Sequence, residues 1–293
     1  MVWPRLSLFV ERRAWGVGCK TRPTPYTLLP TLFLLLTACT TQPAPPPNLP
    51  PMPAVSSLRI GVASSAVGVV GLVTEPYGEE RPFTHLQFIP ANSAALWQGL
   101  ADGTLDAALL HVIPADNNRW FNPVALDGLA VVVNPVNPVR ELSLAQVQGL
   151  FSGQVTNWRD VGGDDAPVML ISREVGSGAR TLLTQQVLGE RRLALNAQIV
   201  ADQAAVLAVV AGEETAVGYA MMGSVGEEVV RVAINGRLPT PNETGTQNYP
   251  LTTPLYFVAP TPDEPQGELR AFLAWLQSPA GQAILSQKYG RVR

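Results

Sequence analysis

The chain has 293 residues, of which 46% are apolar and 15% are charged, and its formal net charge at pH 7 is −3. This composition allows a substantial core and two domains, and it argues against a disordered chain and against a nucleic-acid-binding protein. Both cysteines, Cys19 and Cys39, precede residue 40, and only two histidines are present. We therefore expect no disulfide framework and no metal site in the rest of the chain, and no cofactor.

The N-terminal region has the pattern of an exported protein. Residues 1–22 carry five basic residues and one acidic residue, and Thr27–Thr37 is an apolar run too short to span a bilayer as a mature helix. The run ends at the small residue Ala38, directly before Cys39. A basic region, a short apolar region and a small-residue cleavage site predict a secretory signal peptide over residues 1–38.

The end of this predicted signal, Leu36-Thr-Ala-Cys39, resembles a bacterial lipobox, in which the cysteine is lipidated and becomes the first mature residue. The alternative is a free cysteine inside an ordinary signal peptide. The Pro-rich run Thr40–Pro53 cannot form a core and predicts an extended tether over residues 39–56. Removing residues 1–38 takes away five basic and one acidic residue and lowers the formal net charge from −3 to −7. Such a domain attracts anions poorly by its overall field, so any anion site has to act locally.

Strand and helix patterns alternate along the rest of the chain. The predicted strands are Leu58–Ala63, Phe83–Ile89, Leu105–Leu110, Ala125–Asn134, Val168–Ser172, a short one near Ile199, Ala216–Met221, Val229–Ile234 and Leu255–Ala259. Six helices are predicted. One is capped by Asn92 or Ser93, one spans Leu142–Phe151 with Ser143 as its cap, one begins at about Ser177, one is capped by Asp202, and the last two begin at Glu264 and at Ser278. This alternation favours an α/β fold with a mainly parallel sheet covered on both faces. We expect lobe I to comprise residues 57–133 and 231–293, and lobe II residues 134–230.

The stretch from Ile171 to Arg180 (ISREVGSGAR) predicts a strand end followed by a glycine-flanked serine that opens a helix. Such a turn presents free backbone N–H groups and the positive end of the helix dipole at one place, within reach of Arg173. It has the chemistry of an anion cradle. The alternative is structural: Gly176 and Gly178 only shape a tight turn, and Ser177 is only an N-cap.

Three stretches carry a family resemblance: Leu126–Pro138 (LDGLAVVVNPVNP), Leu150–Gly163 (LFSGQVTNWRDVGG) and Ser172–Gly178 (SREVGSG). With them, the chain from Leu58 onward resembles the periplasmic substrate-binding proteins of ABC importers, most closely the phosphate-binding branch. The resemblance implies a two-lobe periplasmic binding protein fold of type II, with a ligand cleft between lobes that are each a mostly parallel sheet flanked by helices. It also implies a monomeric receptor, not an enzyme, that captures an oxyanion outside the cytoplasm, held at the cell membrane by its lipid, and delivers it to a membrane permease.

In that family the anion is held at five places. The matching residues here are Ser64, Ser65 and Ala66 after the first strand, Ser93, His111, Arg173, and the turn Ser177, Gly178 and Ala179. Ala66 and Ala179 replace hydroxyl residues of the family, and His111 replaces an aspartate or arginine. We expect the backbone N–H groups of both turns and a forked Arg173 to bind the anion, and a neutral His111 to be able to accept its proton.

Several alternatives remain open from the sequence. The anion is phosphate, sulfate, molybdate or tungstate, or the chain is a ligand-free interaction or sensory module of the same fold. His111 is alternatively a surface residue, and Arg173 a salt-bridge partner of an acid such as Asp127. An enzyme lacks support because Val175 breaks the Gly-x-Ser-x-Gly pattern and no phosphate-loop motif is present, although a pair of Ser177 with a histidine is not excluded. Asp106 is expected to have a structural role, and Trp97, Trp158 and Trp275 are expected to lie in the core.

Overall fold

A computed structural model of the chain describes residues 54–292. The predicted signal peptide, the lipidated Cys39 and the Pro-rich run up to Pro53 lie outside the described residues, so these predictions stay untested. Within the described range, no helix has both the length and the apolar character needed to cross a membrane.

The described chain alternates strands and helices, and it contains a helix at Val70–Glu80, a strand at Glu141–Leu142 and a helix at Pro241–Gly245 in addition to the predicted elements. The strands are β1 Ser56–Ala63, β2 Thr84–Ala91, β3 Ala107–Leu110, β4 Phe121–Val133, β5 Glu141–Leu142, β6 Met169–Arg173, β7 Gln198–Val200, β8 Ala216–Met221, β9 Val230–Arg231, β10 Ala233–Ile234 and β11 Thr252–Val258. The helices are α1 Val70–Glu80, α2 Ser93–Ala101, α3 Leu144–Phe151, α4 Gly178–Leu182, α5 Gln203–Gly212, α6 Pro241–Gly245, α7 Gly267–Gln277 and α8 Pro279–Leu285. The helix α4 continues as a π-helical segment, Leu183–Leu188.

The strands pair in the order β2-β1-β3-β11-β4-β8-β6-β7, with β9 beside β4 and a separate β5–β10 pair. The strand β1 is parallel to β2 and β3, and β6 is parallel to β7 and β8. The strands β4 and β11 run antiparallel to their neighbours. The sheet is therefore mixed, with parallel pairs on both sides of an antiparallel centre.

The long strand β4 connects two separately packed halves. Its first part pairs with β11, and Leu129–Val133 pairs with β8. On one side, a core cluster includes Ile60, Leu109 and Phe272. On the other side, the two faces of β4 enter different clusters: Leu129, Val131 and Val133 face one, and Ala130 and Val132 face the other. Alternation in a strand sends successive side chains to opposite faces, so this half of the sheet is covered on both.

The predicted lobe boundaries at 133/134 and 230/231 stay a prediction. Leu129 and Leu251 both pack in the second core cluster, and β11, which follows Leu251, packs in the first. The chain thus passes between the two clusters near Leu129 and near Thr252.

The helix α1 is absent from the sequence-based prediction. Its sequence holds Gly71, Pro76 and Gly78, which disfavour a helix interior. Val73 and Tyr77 are nevertheless fully buried in the first core cluster. Tertiary packing of these two side chains overrides the weak local propensity.

Candidate functional site

The predicted site residues follow the ends of strands that come from both halves of the molecule. Ser64 and Ser65 follow β1, His111 follows β3, and Arg173 is the last residue of β6. Strands β1 and β3 are parallel, so their carboxyl ends meet at one edge of the sheet. Arg173 reaches this edge from the other half, because its Nη2 donates to Ser64 Oγ at 3.0 Å. The structure thus brings these predicted residues together.

The Arg173 side chain is buried and only partly paired. Its Nε and Nη2 donate to the two carboxylate oxygens of Glu174 at 2.9 and 3.0 Å, and Nη2 also donates to the carbonyl of Ala201 at 3.2 Å. Its Nη1 is buried with no partner among the described residues. The predicted two-nitrogen fork of Arg173 is therefore directed at Glu174, so the salt-bridge alternative holds with Glu174 as the acid, while Asp127 bonds His111. Nη1 is the nitrogen that remains for a ligand.

Three neighbouring groups hold Arg173 in place. Its backbone N–H donates to the Tyr219 hydroxyl at 3.0 Å, and that hydroxyl also bonds Ser172 Oγ at 2.8 Å. Burial raises the pKa of Tyr219, so the phenol stays neutral. Arg180 Nη1 donates to Ser172 Oγ at 3.1 Å and to the Arg173 carbonyl at 3.0 Å. The Ser172 hydroxyl and the backbone N–H and carbonyl of Arg173 are therefore all hydrogen-bonded at the end of β6.

The turn after β6 has features of both interpretations from the sequence, a tight turn with an N-cap and a set of free backbone N–H groups. Gly176 has φ of +93°, a conformation that favours glycine. Ser177 is the N-cap of α4, and its Oγ accepts from Arg180 N at 3.5 Å. The Ser177 N–H donates back to the Glu174 carbonyl at 3.3 Å, so the expectation that it is free is wrong. The N–H groups of Gly178 and Ala179 have no partner in the described part of the chain, and they point along the dipole of the helix.

The N-terminus of α2 meets this turn across the cleft. Asn92 is the N-cap of α2, and Ser93 is the first helical residue. Ser93 Oγ is buried without a partner in residues 54–292, and it lies so near Gly178 that a methyl group there would be 2.7 Å away. Ala94 N donates to the Gly176 carbonyl at 3.2 Å. Two helix N-termini and one unpaired hydroxyl therefore converge at a single point.

The turn after β1 differs from the expectation in one respect. The Ala66 N–H donates to the Ala63 carbonyl at 2.6 Å, so it is not free for a ligand, as had been expected. The Ser65 N–H has no hydrogen-bond acceptor among residues 54–292. The methyl groups of Ala66 and Ala179 are both buried in hydrophobic core clusters. The roles of Ala66 and Ala179 in binding an anion stay predictions.

His111 is buried, with 2% of its surface exposed, so the surface alternative is wrong. Its Nδ1 lies 3.2 Å from Ser65 Oγ, and its Nε2 lies 3.0 Å from Asp127 Oδ2. Asp127 Oδ1 accepts from the N–H groups of Gly128 at 2.8 Å and Gly223 at 3.1 Å. Both ring nitrogens of His111 are therefore occupied by protein groups.

Other sequence-based expectations are confirmed away from the cleft. Asp106 pairs with Arg59, Nη2 to Oδ1 at 2.7 Å, which is a structural role. Trp158 and Trp275 are buried in the cores, and Trp97 packs against the first core with the Arg119 guanidinium 5.5 Å from its ring centroid.

Sequence reasoning gave no role to Glu174, Arg180 and Gln203, and it named Asp127 only as an alternative partner of Arg173. Glu174 pairs with Arg173, Arg180 fixes the end of β6, and Asp127 holds His111. Gln203, at the start of α5, is 2% exposed; its Oε1 accepts from Met221 N at 2.8 Å, and its Nε2 has no partner in the described chain. One signal was available for Arg180, because a basic residue in the first turn of a helix opposes the helix dipole and needs a specific partner.

Two cavities of about 550 and 500 Å³ lie away from these residues, beside α6 and the segment Arg291–Val292. They contain none of the residues predicted to bind an anion. The candidate site is defined by the polar groups that converge where Arg173 contacts Ser64 and Gly178 approaches Ser93.

Comparison with known proteins agrees with this architecture. The sequence matches a model of the PBP superfamily domain over residues 50–280. The phosphate-binding protein PstS of Bacillus subtilis strain 168 is 26% identical over 233 residues, which cover 77% of this chain and 76% of that protein. A proposed phosphate ABC transporter substrate-binding protein from Clostridium perfringens, solved with bound phosphate, has a TM-score of 0.76 and 26% identity, covering 81% of this chain and 100% of that one.

An ABC-type phosphate transport receptor from Vibrio cholerae has a TM-score of 0.64 and 26% identity, with coverage of 81% of this chain and 100% of that one. The predicted two-lobe α/β fold is confirmed by these solved structures together with the strand order described above. With a family match that spans most of its length, this chain belongs to the PBP superfamily.

Proposed function

We propose that this protein is an extracytoplasmic receptor that binds a tetrahedral oxyanion, phosphate in the first place, and delivers it to an ABC importer. The observation that carries the proposal is the buried Arg173, whose Nη1 has no partner among the described residues. A buried N–H donor without an acceptor is costly, so Nη1 is expected to meet an acceptor atom of a ligand. The superfamily relatives named for phosphate binding and transport support the same ligand and a membrane permease as partner. They are receptors and not enzymes.

The other donors of the cleft fit a ligand with several oxygens. Ser93 Oγ and the N–H groups of Ser65, Gly178 and Ala179 have no partner within residues 54–292. They come from both halves of the molecule, and they are mostly dipoles, not charges. A site of this kind needs no overall positive field, which agrees with the acidic composition of the domain.

The cleft also supports a capture mechanism. Arg173 donates across it to Ser64 at 3.0 Å, and Ala94 donates across it to Gly176 at 3.2 Å. An anion that bonds donors of both halves favours the conformation in which they approach each other. The closed form is then the one that docks on the permease. Lipidation at Cys39 and the Pro-rich tether would hold the receptor at the cell membrane, and Cys39→Ser should then release it from the membrane fraction.

Calorimetric titration tests the ligand. The protein is purified from a bacterial host, freed of endogenous phosphate, and titrated with phosphate, sulfate, molybdate and tungstate. We expect heat and saturation with phosphate. The absence of heat with all four anions contradicts the receptor function, and saturation with only one of the other three identifies a different oxyanion.

A further inference from the structure

Gln203 is a buried polar residue whose side-chain amide is paired at one end only. It is the first residue of α5, and 2% of its surface is exposed. Its Oε1 accepts from the backbone N–H of Met221 at 2.8 Å, whereas its Nε2 is buried with no partner among residues 54–292. A backbone N–H can only donate, so the atom that faces it is the amide oxygen, and Nε2 is the free end.

The bond to Met221 determines where the amide lies along the sheet. The strands β6 and β8 are parallel neighbours, with Leu170 beside Val217. Continuing this register brings Arg173, the last residue of β6, to within one residue of the level of Met221, the last residue of β8. Neighbouring strands are about 4.8 Å apart. The amide of Gln203 is therefore held at the same edge of the sheet as Arg173, on the adjacent strand.

The start of α5 also contacts Arg173 directly. The Nη2 of Arg173 donates to the carbonyl of Ala201 at 3.2 Å, and Ala201 precedes Gln203 by two residues. Arg173 and Gln203 are thus neighbours both through the sheet and through the segment that leads into α5. Each of them has one buried nitrogen without an acceptor in the described part of the chain, Nη1 and Nε2 respectively.

We propose that Gln203 is a further ligand-binding residue, whose Nε2 donates to the bound oxyanion beside Nη1 of Arg173. A buried amide nitrogen without an acceptor is costly, and a tetrahedral anion has enough oxygens to accept from both nitrogens. The amide is neutral, so it adds a hydrogen bond without adding a charge. Its bond to Met221 holds the side chain in place before the ligand arrives, which reduces the entropy lost on binding. This assignment rests on the proposed oxyanion-binding function.

The replacement Gln203→Met removes the donor and keeps a side chain of similar length. A hydrogen bond to a charged ligand is among the stronger ones, so phosphate affinity in calorimetric titration should fall about tenfold or more. The replacement Gln203→Glu keeps an oxygen for the N–H of Met221 and places a second oxygen where Nε2 now lies. That oxygen accepts from Arg173 and repels an anion, so affinity should fall further than in Gln203→Met.

The matched control is Gln148→Met. The Nε2 of Gln148 donates to the carbonyls of Val187 at 2.9 Å and Leu188 at 3.2 Å, and it takes no part in the candidate site. This variant loses hydrogen bonds of a glutamine amide in the same half of the molecule. Its thermal stability should fall, and its phosphate affinity should stay that of the wild type. A loss of affinity specific to position 203 therefore does not come from destabilisation.

Nuclear magnetic resonance gives a readout that a purely structural role would not move. In ¹⁵N-labelled wild type, the Nε2 signals of Gln203 are identified by their absence in Gln203→Met. We expect them to shift when phosphate saturates the protein, because Nε2 gains an acceptor, while those of Gln148 stay in place.

The role of Gln203 is overturned if Gln203→Met binds phosphate within about threefold of the wild type, as expected when Nε2 bonds a buried water. It is also overturned if Gln203→Glu keeps the wild-type affinity, or if the Nε2 signals of Gln203 do not respond to phosphate. In each of these cases the wild type still binds phosphate and the oxyanion function stands. If the wild type binds none of the four anions, both the function and the role of Gln203 fail.

Discussion

The replacement Ser93→Ala is expected to move two measurements in opposite directions. Ser93 Oγ is buried without a partner among the described residues, and the cap of α2 is Asn92, which accepts from Ala95 N at 2.9 Å. The variant therefore removes an unsatisfied hydroxyl, worth about 1 to 3 kcal/mol at most, and leaves the cap intact. We expect the free energy of unfolding without ligand to rise by about 1 to 2 kcal/mol.

The same hydroxyl is a proposed donor to the anion. A hydrogen bond to a charged group contributes about 1.5 to 3 kcal/mol, so phosphate should bind roughly 10- to 150-fold more weakly. Without ligand, the Tm should rise by roughly 2 to 8 °C for a domain of this size. Thermal unfolding by circular dichroism in phosphate-free buffer and calorimetric titration of the same samples measure both quantities.

The matched control is Ser152→Ala. Ser152 Oγ donates to the Gly149 carbonyl at the end of α3, and it takes no part in the candidate site. This variant should leave the phosphate affinity unchanged. If Ser93→Ala binds phosphate as tightly as the wild type, Ser93 is not a ligand donor. If the variant is less stable than the wild type without ligand, its hydroxyl has a structural partner and the reasoning from an unpaired group is refuted.

Three further changes test other parts of the structure. Gly178→Ala places a methyl group 2.7 Å from Ser93 Oγ, so phosphate affinity should fall about tenfold or more in calorimetry, and unchanged affinity contradicts a role of this close approach in binding. Arg173→Met removes the charged donor and leaves Glu174 unpaired; binding should weaken more than about 100-fold, and unchanged affinity contradicts the site. Burial raises the pKa of Tyr77 from 10.0 to about 12, so the tyrosine contributes stability below pH 10 that is lost as the pH rises toward 12. In Tyr77→Phe, the urea midpoint of unfolding should therefore fall less steeply between pH 10 and 12 than in the wild type. If the slope is the same in both proteins, Tyr77 is not the group whose ionisation lowers the stability.

Local sequence patterns determined most of the secondary structure. Ser143 and Gln146 form the capping box that opens α3, and Asp202 caps α5 through Ala205 N. Glycine at position 176 marks the positive φ of the turn after β6. These features depend on contacts within a few residues, so the sequence alone predicts them. The helix α1 was not predicted, because its stability comes from distant core contacts of Val73 and Tyr77.

The sequence also identified residues that the fold brings together in the candidate site. Arg173 contacts Ser64, and Gly178 lies next to Ser93. Only the tertiary structure decided what each of them is paired with. Hydrogen bonds between His111 and Asp127, 16 residues apart, and between Arg173 and Ser64, 109 residues apart, depend on the relative position of separate strands. No local pattern encodes such a distance. The donors and acceptors left for a ligand are those that remain after these long-range bonds form, which is why the residue types followed from sequence and their roles required the fold.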